Sequence, residues 1–312
     1  MKKQTIQSIF SLCVLLLLSA CGGGGDAVDP DDRPRILVTV GMLTDVVREI
    51  AGDAARVEGL MGEGVDPHSF HPAASDVRRI QGADMIFYVG HHLEGRLQGT
   101  FVSLAKRDRK VAAMGEKLDS EHLLLDEDGN IDPHLWMDVS LWIEISGHVR
   151  DQLTAWLPES AETFATNHDA WVAQLEALDR EIQDIIATIP VESRILITAH
   201  DAFGYFGRRY EVEVMGIQGL STESEAGLRH LNRLVDLIVA QNIPAVFVES
   251  SVADRNVRAL VEGAASRGHA VVIGGELFSD AMGAPGTPEG TYPGMIRHNA
   301  RTIANALGGE EL

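Results

Sequence analysis

Short apolar runs alternate with amphipathic stretches along the chain from Arg35 onward. The apolar runs are rich in Val and Ile, which is typical of strands that are covered on both faces of a parallel sheet. The predicted strands are Ile36–Val40, Met85–Val89, Val111–Met114, Ile195–Thr198, Val212–Ile217, Ala245–Glu249 and Ala270–Ile273. The predicted helices between them are Thr44–Ala51, Ala73–Gln81, Glu94–Lys106, Gly227–Gln241 and Asp254–Arg267. This alternation predicts an α/β fold with mainly parallel sheets flanked by helices.

The alternation occurs twice, and one long helical pattern separates the two halves. Pro158 suits a first helical position and Pro190 provides a stop. One apolar stripe runs between them: Phe164, Trp171, Leu175, Leu178, Ile182, Ile185 and Ile189. About 30 residues at 1.5 Å each give roughly 45 Å, enough to run along two lobes. We therefore predict an N-terminal α/β lobe (35–157), a linking helix (158–189) and a C-terminal α/β lobe (190–312).

The N-terminal 34 residues have the pattern of an export signal rather than of a folded domain. Lys2 and Lys3 precede the apolar run Ile9–Leu18, which has the length of a signal peptide and is too short to span a bilayer. The run ends at Cys21 in Leu-Ser-Ala-Cys, which resembles the lipobox of bacterial lipoproteins. Residues 1–20 are then a lipoprotein signal peptide, and 21–34 are a lipidated Cys21 with a flexible, glycine-rich tether. The alternative is an ordinary signal peptide with an incidental cysteine.

Charge and cysteine content narrow the class of protein further. The chain has 46 acidic and 26 basic residues, a formal net charge of −20, and no compensating basic stretch. Such a surface repels phosphate backbones, so we expect no nucleic-acid partner. The other cysteine, Cys13, lies in the predicted signal peptide, so the mature chain has no disulfide. We expect an exported monomer that faces the periplasm or the cell exterior.

Three of the twelve histidines lie at positions suited to ligand binding. His68 and His134 each end an Asp-Pro-His triplet, and His200 follows a predicted strand. The proline restricts the loop, and a nearby carboxylate can accept the other ring N–H of a metal-bound imidazole. Asp280 follows the last predicted strand, where α/β proteins bind ligands. Three imidazoles and a carboxylate would complete a tetrahedral metal shell. The alternatives are a helix N-cap role for Asp280 and His71 as a rival ligand.

Five ordered motifs resemble the metal-binding solute-binding proteins of zinc and manganese ABC importers. They are Gly-Val-Asp-Pro-His (64–68), Asp-Pro-His-Leu-Trp-Met-Asp-Val (132–139), Thr-Ala-His-Asp-Ala-Phe-Gly-Tyr-Phe (198–206), Val-Phe-Val-Glu-Ser-Ser (246–251) and Leu-Phe-Ser-Asp (277–280). The resemblance covers Arg35 to Leu307. It implies two lobes joined by one long helix, with a metal held between them by His68, His134, His200 and Asp280. It also implies delivery of that metal to an ABC permease by a protein that is not an enzyme.

The resemblance leaves the metal open. Zinc-specific members often have a long His-rich loop before the second ligand, whereas residues 117–132 contain one histidine among acidic residues. Three imidazoles nevertheless favour Zn²⁺, with Mn²⁺ as the alternative.

Two other functional classes compete with the metal receptor: a zinc hydrolase, with Glu249 or Asp201 as a base, and a surface adhesin. Four protein ligands and the absence of a His-Glu-x-x-His motif argue against the hydrolase. No repeat supports adhesion.

Overall fold

The first half of the chain is built on one parallel sheet in the computed structural model, which describes residues 32–310. Its strands are β1 (Arg35–Val38), β2 (Arg56–Gly59), β3 (Met85–Tyr88) and β4 (Lys110–Ala113), in the order β2-β1-β3-β4. Its helices are α1 (Gly41–Ala51), α2 (Ala74–Gly82) and α3 (Arg96–Ala105). Ile36 in the central strand β1 pairs with Val57 on one side and Met85 on the other. The predicted signal peptide and Cys21 lie outside the described residues.

Two long helices follow the sheet of the first half, and the second of them joins the two halves. Helix α4 spans Val139–Trp156 and, after a 3₁₀ turn at Pro158–Ser160, helix α5 spans Ala161–Ala187. The predicted linking helix is confirmed, although its regular α-helical part begins three residues after Pro158. The predicted apolar stripe is buried throughout. Helix α5 packs against α1 and α4 of the first half and against the last described helix (Tyr292–Ala306), so it contacts both halves.

The second half contains two pairs of parallel strands, β5 (Ile195–His200) with β6 (Glu213–Gln218), and β7 (Ala245–Glu249) with β8 (Val272–Leu277). Strand β5 lies against β7. The helices are α6 (Gly204–Tyr210), α7 (Leu228–Ala240), α8 (Arg255–Ser266) and α9 (Tyr292–Ala306). The strand predicted at Ala270–Ile273 is wrong in its bounds. Gly274, Gly275 and Glu276 interrupt the apolar run in the sequence, yet they continue β8 to Leu277.

One hydrophobic core extends from Ile36 to Leu307 and includes residues of both halves. A smaller core fills the second half between its strands and helices α7 and α8. The last helix connects distant parts of the chain. Asp45 in α1, which is buried, accepts a hydrogen bond from the N–H of Tyr292 at 2.8 Å at the first residue of α9. Within residues 32–310, no helix combines the length and the hydropathy needed to cross a bilayer.

Candidate metal centre

His68 lies in a loop between β2 and α2 that a carboxylate folds into a turn. Asp66 accepts hydrogen bonds from the backbone N–H of His68 at 2.9 Å and from the Ser69 hydroxyl at 2.7 Å. The loop passes so close to Gly95 that a Cβ atom there would collide with the carbonyl oxygen of His68. Gly95 also has φ +44°, in the region that favours glycine. The His68 side chain is buried beneath this loop.

His134 lies just before the 3₁₀ turn Leu135–Met137, and a carboxylate holds the ring nitrogen that faces away from the cluster. Asp132 Oδ1 lies 2.9 Å from the backbone N of His134 and 2.7 Å from its ring Nδ1. The hydroxyl of Tyr205 donates to the carbonyl oxygen of Asp132 at 2.9 Å. The prediction that the Asp of each triplet accepts the ring N–H therefore holds for Asp132. It is wrong for Asp66, which bonds the backbone N–H of His68 instead.

His200 is the last residue of β5 and meets the last residue of the neighbouring strand β7. Glu249 Oε2 lies 2.6 Å from the ring Nδ1 of His200, and Oε1 accepts the His200 backbone N–H at 2.9 Å. Both side chains are fully buried. Strand β5 lies against β7, and the two residues are the last of their strands, which explains why residues 49 positions apart meet. Glu249, considered above as the base of a zinc hydrolase, is bonded instead to the ring and the backbone of His200.

Asp280 follows β8 in a loop that is bonded to the loop of His134. The indole N–H of Trp136 donates to the carbonyl oxygen of Ser279 at 2.8 Å. Asp280 caps none of the described helices, and α9 begins instead at the side chain of Thr291. Both carboxylate oxygens of Asp280 are buried, and within residues 32–310 neither accepts a hydrogen bond. A buried ionised carboxylate in this position requires a positive charge beside it.

The four side chains converge with the spacing of a coordination shell. The Nε2 atom of His134 lies 3.3 Å from the Nε2 atoms of both His68 and His200. Asp280 Oδ1 lies 3.3 Å from Nε2 of His134, and Oδ2 lies 3.2 Å from Nε2 of His200. Asp280 Oδ2 lies 3.9 Å from Nε2 of His68. All four donor atoms lie within 4.8 Å of one another. The structure thus brings together the four residues that the sequence singled out.

Burial and the charges of neighbouring groups act in opposite directions on the pKa values of the clustered side chains. Burial lowers the pKa of His68 to about 4, although the Asp280 carboxylate opposes this shift. Burial also acts to lower the pKa of His134, but Asp132 and Asp280 outweigh it and raise that pKa to about 9. Burial acts to raise the pKa of Asp280, but the imidazoles, first that of His200, hold it well below its usual range. The negative charge is therefore balanced by imidazolium protons or by a bound cation.

The other histidines do not join the cluster. The exposed ring of His71, the rival ligand, has its Nδ1 2.6 Å from the carbonyl oxygen of Ser69. His122, in the acidic stretch, pairs with Glu144 at 3.2 Å. His91 and His92 lie beside a cavity of about 600 Å³. Of the four clustered residues, His68 is the one that lines this cavity.

Two α/β halves, joined by one long helix and meeting at a buried cluster of imidazoles and a carboxylate, define the class of solute-binding proteins. The chain belongs to the family of the periplasmic component A of zinc-uptake complexes (ZnuA), whose sequence model matches residues 36–306. Because this family consists of uptake components and not of enzymes, the prediction of a protein that is not an enzyme is confirmed.

Proteins and structures similar to this chain differ in their named metal. The manganese-binding lipoprotein MntA of Bacillus subtilis (strain 168) is 41% identical over 291 residues, which cover 93% of this chain and 95% of that protein. The zinc-binding protein TroA of Treponema pallidum (strain Nichols) is 43% identical over 300 residues, which cover 95% and 97%. The crystallised periplasmic zinc-binding protein TroA from Treponema pallidum matches with a TM-score of 0.86 and 44% identity. That match covers 88% of this chain and 99% of that one. The two-lobe α/β fold is therefore confirmed.

Proposed function

We propose that this chain is the receptor of a metal ABC importer. It captures a divalent transition metal with His68, His134, His200 and Asp280 and delivers it to a membrane permease. The N-terminal lobe (35–157) provides the first two ligands and the C-terminal lobe (190–312) the other two, on either side of the linking helix (158–189). We further propose that the receptor acts as a monomer.

The observation that supports this proposal most directly is the spacing of the four donor atoms. In a tetrahedral zinc site with metal–ligand bonds of about 2.0–2.1 Å, neighbouring donor atoms are about 3.3–3.4 Å apart. Nε2 of His134 lies 3.3 Å from Nε2 of His68 and of His200, and the two oxygens of Asp280 lie 3.3 Å from His134 and 3.2 Å from His200. A shell of four protein ligands leaves no position for a substrate water, which suits cargo binding and not hydrolysis.

We propose Zn²⁺ as the preferred metal in vitro, with Mn²⁺ as the alternative. Three neutral imidazoles suit zinc, whereas manganese prefers oxygen ligands. Zinc also stands above manganese in the general affinity order for divalent metals. The relatives support both metals, because MntA is named for manganese and TroA for zinc.

Competition titrations with Zn²⁺ and Mn²⁺ test the metal assignment. The wild type should bind one Zn²⁺ ion per chain more tightly than Mn²⁺, and His200→Glu should shift the preference toward Mn²⁺ by adding an oxygen ligand. His71→Glu introduces the same carboxylate at an exposed histidine three residues from His68 and should leave the preference unchanged. Equal or tighter Mn²⁺ binding by the wild type would contradict the zinc assignment and leave the receptor assignment intact.

We also propose that lipid attached to Cys21 anchors the exported receptor to a membrane. The Leu-Ser-Ala-Cys sequence after an apolar run supports this proposal. Cys21→Ala should release the protein from washed membranes into the soluble fraction, without any change in metal binding. Cys13→Ala, inside the predicted signal peptide, is the matched control and should stay with the membrane. Retention of the Cys21→Ala variant after a high-salt wash would contradict the lipid anchor.

A further inference from the structure

His68 is held differently from the other two imidazoles of the metal centre. A carboxylate oxygen of Asp132 is hydrogen-bonded to the ring Nδ1 of His134, and one of Glu249 to the ring Nδ1 of His200. No carboxylate of residues 32–310 is bonded to the ring Nδ1 of His68. Its position therefore depends on the backbone of its loop, and that backbone is held by Asp66.

Asp66 also connects the loop of His68 to the other half of the chain. Its Oδ2 atom accepts a hydrogen bond from the hydroxyl of Thr222 at 2.5 Å, across 156 residues of sequence. Both side chains are half-buried. A hydrogen bond of this length to a carboxylate is a charge-assisted bond, about twice as strong as one between neutral groups.

Thr222 is itself held in a defined place. The side-chain amide of Gln218 donates to the carbonyl oxygens of Thr222 at 3.2 Å and of Ser224 at 2.8 Å. Gln218 is the last residue of β6 and pairs in register with His200 of β5. A continuous set of hydrogen bonds thus runs from the backbone of His68 through Asp66, Thr222 and Gln218 to the strand that ends in His200.

We propose that Asp66 and Thr222 are positioning residues for His68 and that their hydrogen bond sets the rate at which the metal leaves the receptor. The inference rests on the proposed function, because it requires metal bound at His68. When the bond breaks, the loop of His68 is free to move away from the donors on the other half. Since His68 is the clustered residue that lines the cavity of about 600 Å³, its departure opens the centre toward that cavity.

The test measures release of Zn²⁺ from the loaded full-length chain into an excess of a chelating dye. Thr222→Val keeps the shape of the side chain and removes the hydroxyl, so the dissociation rate constant should rise about tenfold or more. Thr222→Ser restores the donor and should stay within about threefold of the wild type. The association rate constant should change much less than the dissociation rate constant. A purely structural role would instead lower the melting temperature of the metal-free protein.

Two further variants make the result specific. Thr302→Val makes the same substitution at a half-buried threonine of α9, whose hydroxyl lies 3.4 Å from the ring of His298, and should leave release unchanged. In an Asp66→Asn background, Thr222→Val should accelerate release by much less than it does alone, because the partner carboxylate is already lost.

Three results would overturn the inference: release from Thr222→Val at the wild-type rate, release from Thr222→Ser as fast as from Thr222→Val, or additive effects in the double variant. A wild type that binds no Zn²⁺ in the preceding equilibrium titration would instead refute the proposed function, and this inference with it.

Discussion

The surroundings of His134 and His200 contrast with those of His68. The first two rings are each fixed by a buried carboxylate at 2.7 or 2.6 Å, so their Nε2 atoms are aimed before any metal arrives. His68 is buried to a similar degree, yet its place depends on an exposed loop that one carboxylate ties to Thr222. A receptor must both bind its cargo and release it. The contrast indicates how one site can do both. His134, His200 and Asp280 are held in place, whereas His68 can move away from the metal.

The largest expected effect separates His134 from His68. A bound structural zinc is worth about 10–16 kcal/mol, so losing one ligand of four costs about 100- to 1000-fold in affinity. We expect His134→Ala to reach this loss, because His134 lies 3.3 Å from each of the other three donor residues. His68→Ala should cost less, since a water from the neighbouring cavity can replace it. Isothermal titration measures the Zn²⁺ affinity of both variants. An equal or larger loss of affinity for His68→Ala would contradict the expected difference between the two ligands.

The second-largest loss of Zn²⁺ affinity is expected from changing the two carboxylates that are hydrogen-bonded to the ring Nδ1 atoms of His134 and His200. Asp132→Asn and Glu249→Gln should each weaken Zn²⁺ binding by about 10- to 100-fold, because the rings lose the partner that orients them. Asp128→Asn, at an exposed position of the same loop as Asp132, is the matched control and should bind as the wild type does. Wild-type affinity in both ring-partner variants would show that packing alone aims His134 and His200.

A smaller effect is expected on the arrangement of the two halves. The bonds from Trp136 to Ser279, from Tyr292 to Trp136 and from Tyr205 to Asp132 join the halves beside the metal centre and do not involve the metal. Solution scattering should therefore give the same radius of gyration for the metal-free and the zinc-loaded protein. Any opening on metal loss should be confined to the loop of His68. A large change in the radius of gyration would contradict this.

The smallest effect comes from a buried histidine without any carboxylate hydrogen-bonded to its ring. His168 on α5 has its Nδ1 3.3 Å from the Arg150 guanidinium, and its Nε2 is buried without a partner among the described residues. Burial, followed by the charge of Arg150, lowers its pKa, while Asp169 and Asp151 oppose the shift. The unfolded chain therefore takes up this proton at a higher pH than the folded chain, and stability falls as the pH drops through the ordinary value near 6.5.

His168→Gln removes this proton uptake from both states. Chemical unfolding of the metal-free protein at pH 7.5 and 5.5 should show a larger loss of stability for the wild type than for His168→Gln. His71→Gln, at an exposed histidine, should follow the wild type. A wild-type chain that loses no more stability than His168→Gln would show that the burial of His168 leaves its protonation unaffected.

The sequence predicts the ligands better than it predicts what holds them. Val- and Ile-rich runs and one long apolar stripe were enough for the α/β class and for α5, because a hydrophobic pattern is a local property. The bounds of helix α4 were not predicted, although Asp138 caps it by accepting from the N–H groups of Ser140 and Leu141. Strand β2, at an edge of the sheet, was missed because three of its four residues, Arg56, Glu58 and Gly59, do not fit the apolar pattern of the other strands.

Within the site, the Asp-Pro-His triplets mark two ligands, yet the identical triplets act differently. Asp132 reaches the ring of its histidine, whereas Asp66 turns to Ser69 and Thr222. One difference is local, because the hydroxyl residue Ser69 follows His68 whereas Leu135 follows His134. The other comes from a partner 156 residues away. The bond from Trp136 to Ser279 is equally long-range, so the sequence contains no sign of it.

The position of α9 has a consequence for how the chain acquires its structure. This helix, the last of the described elements, packs on α1 and α5, and its first N–H is bonded to Asp45 near the start of the fold. A polypeptide is synthesised from its N-terminus, so the surfaces of α1 and α5 that α9 covers stay exposed until residue 292 and beyond are available. Contacts of such sequence separation form slowly. The part of the main core that α1, α5 and α9 share is therefore completed only when residues 292–306 are present.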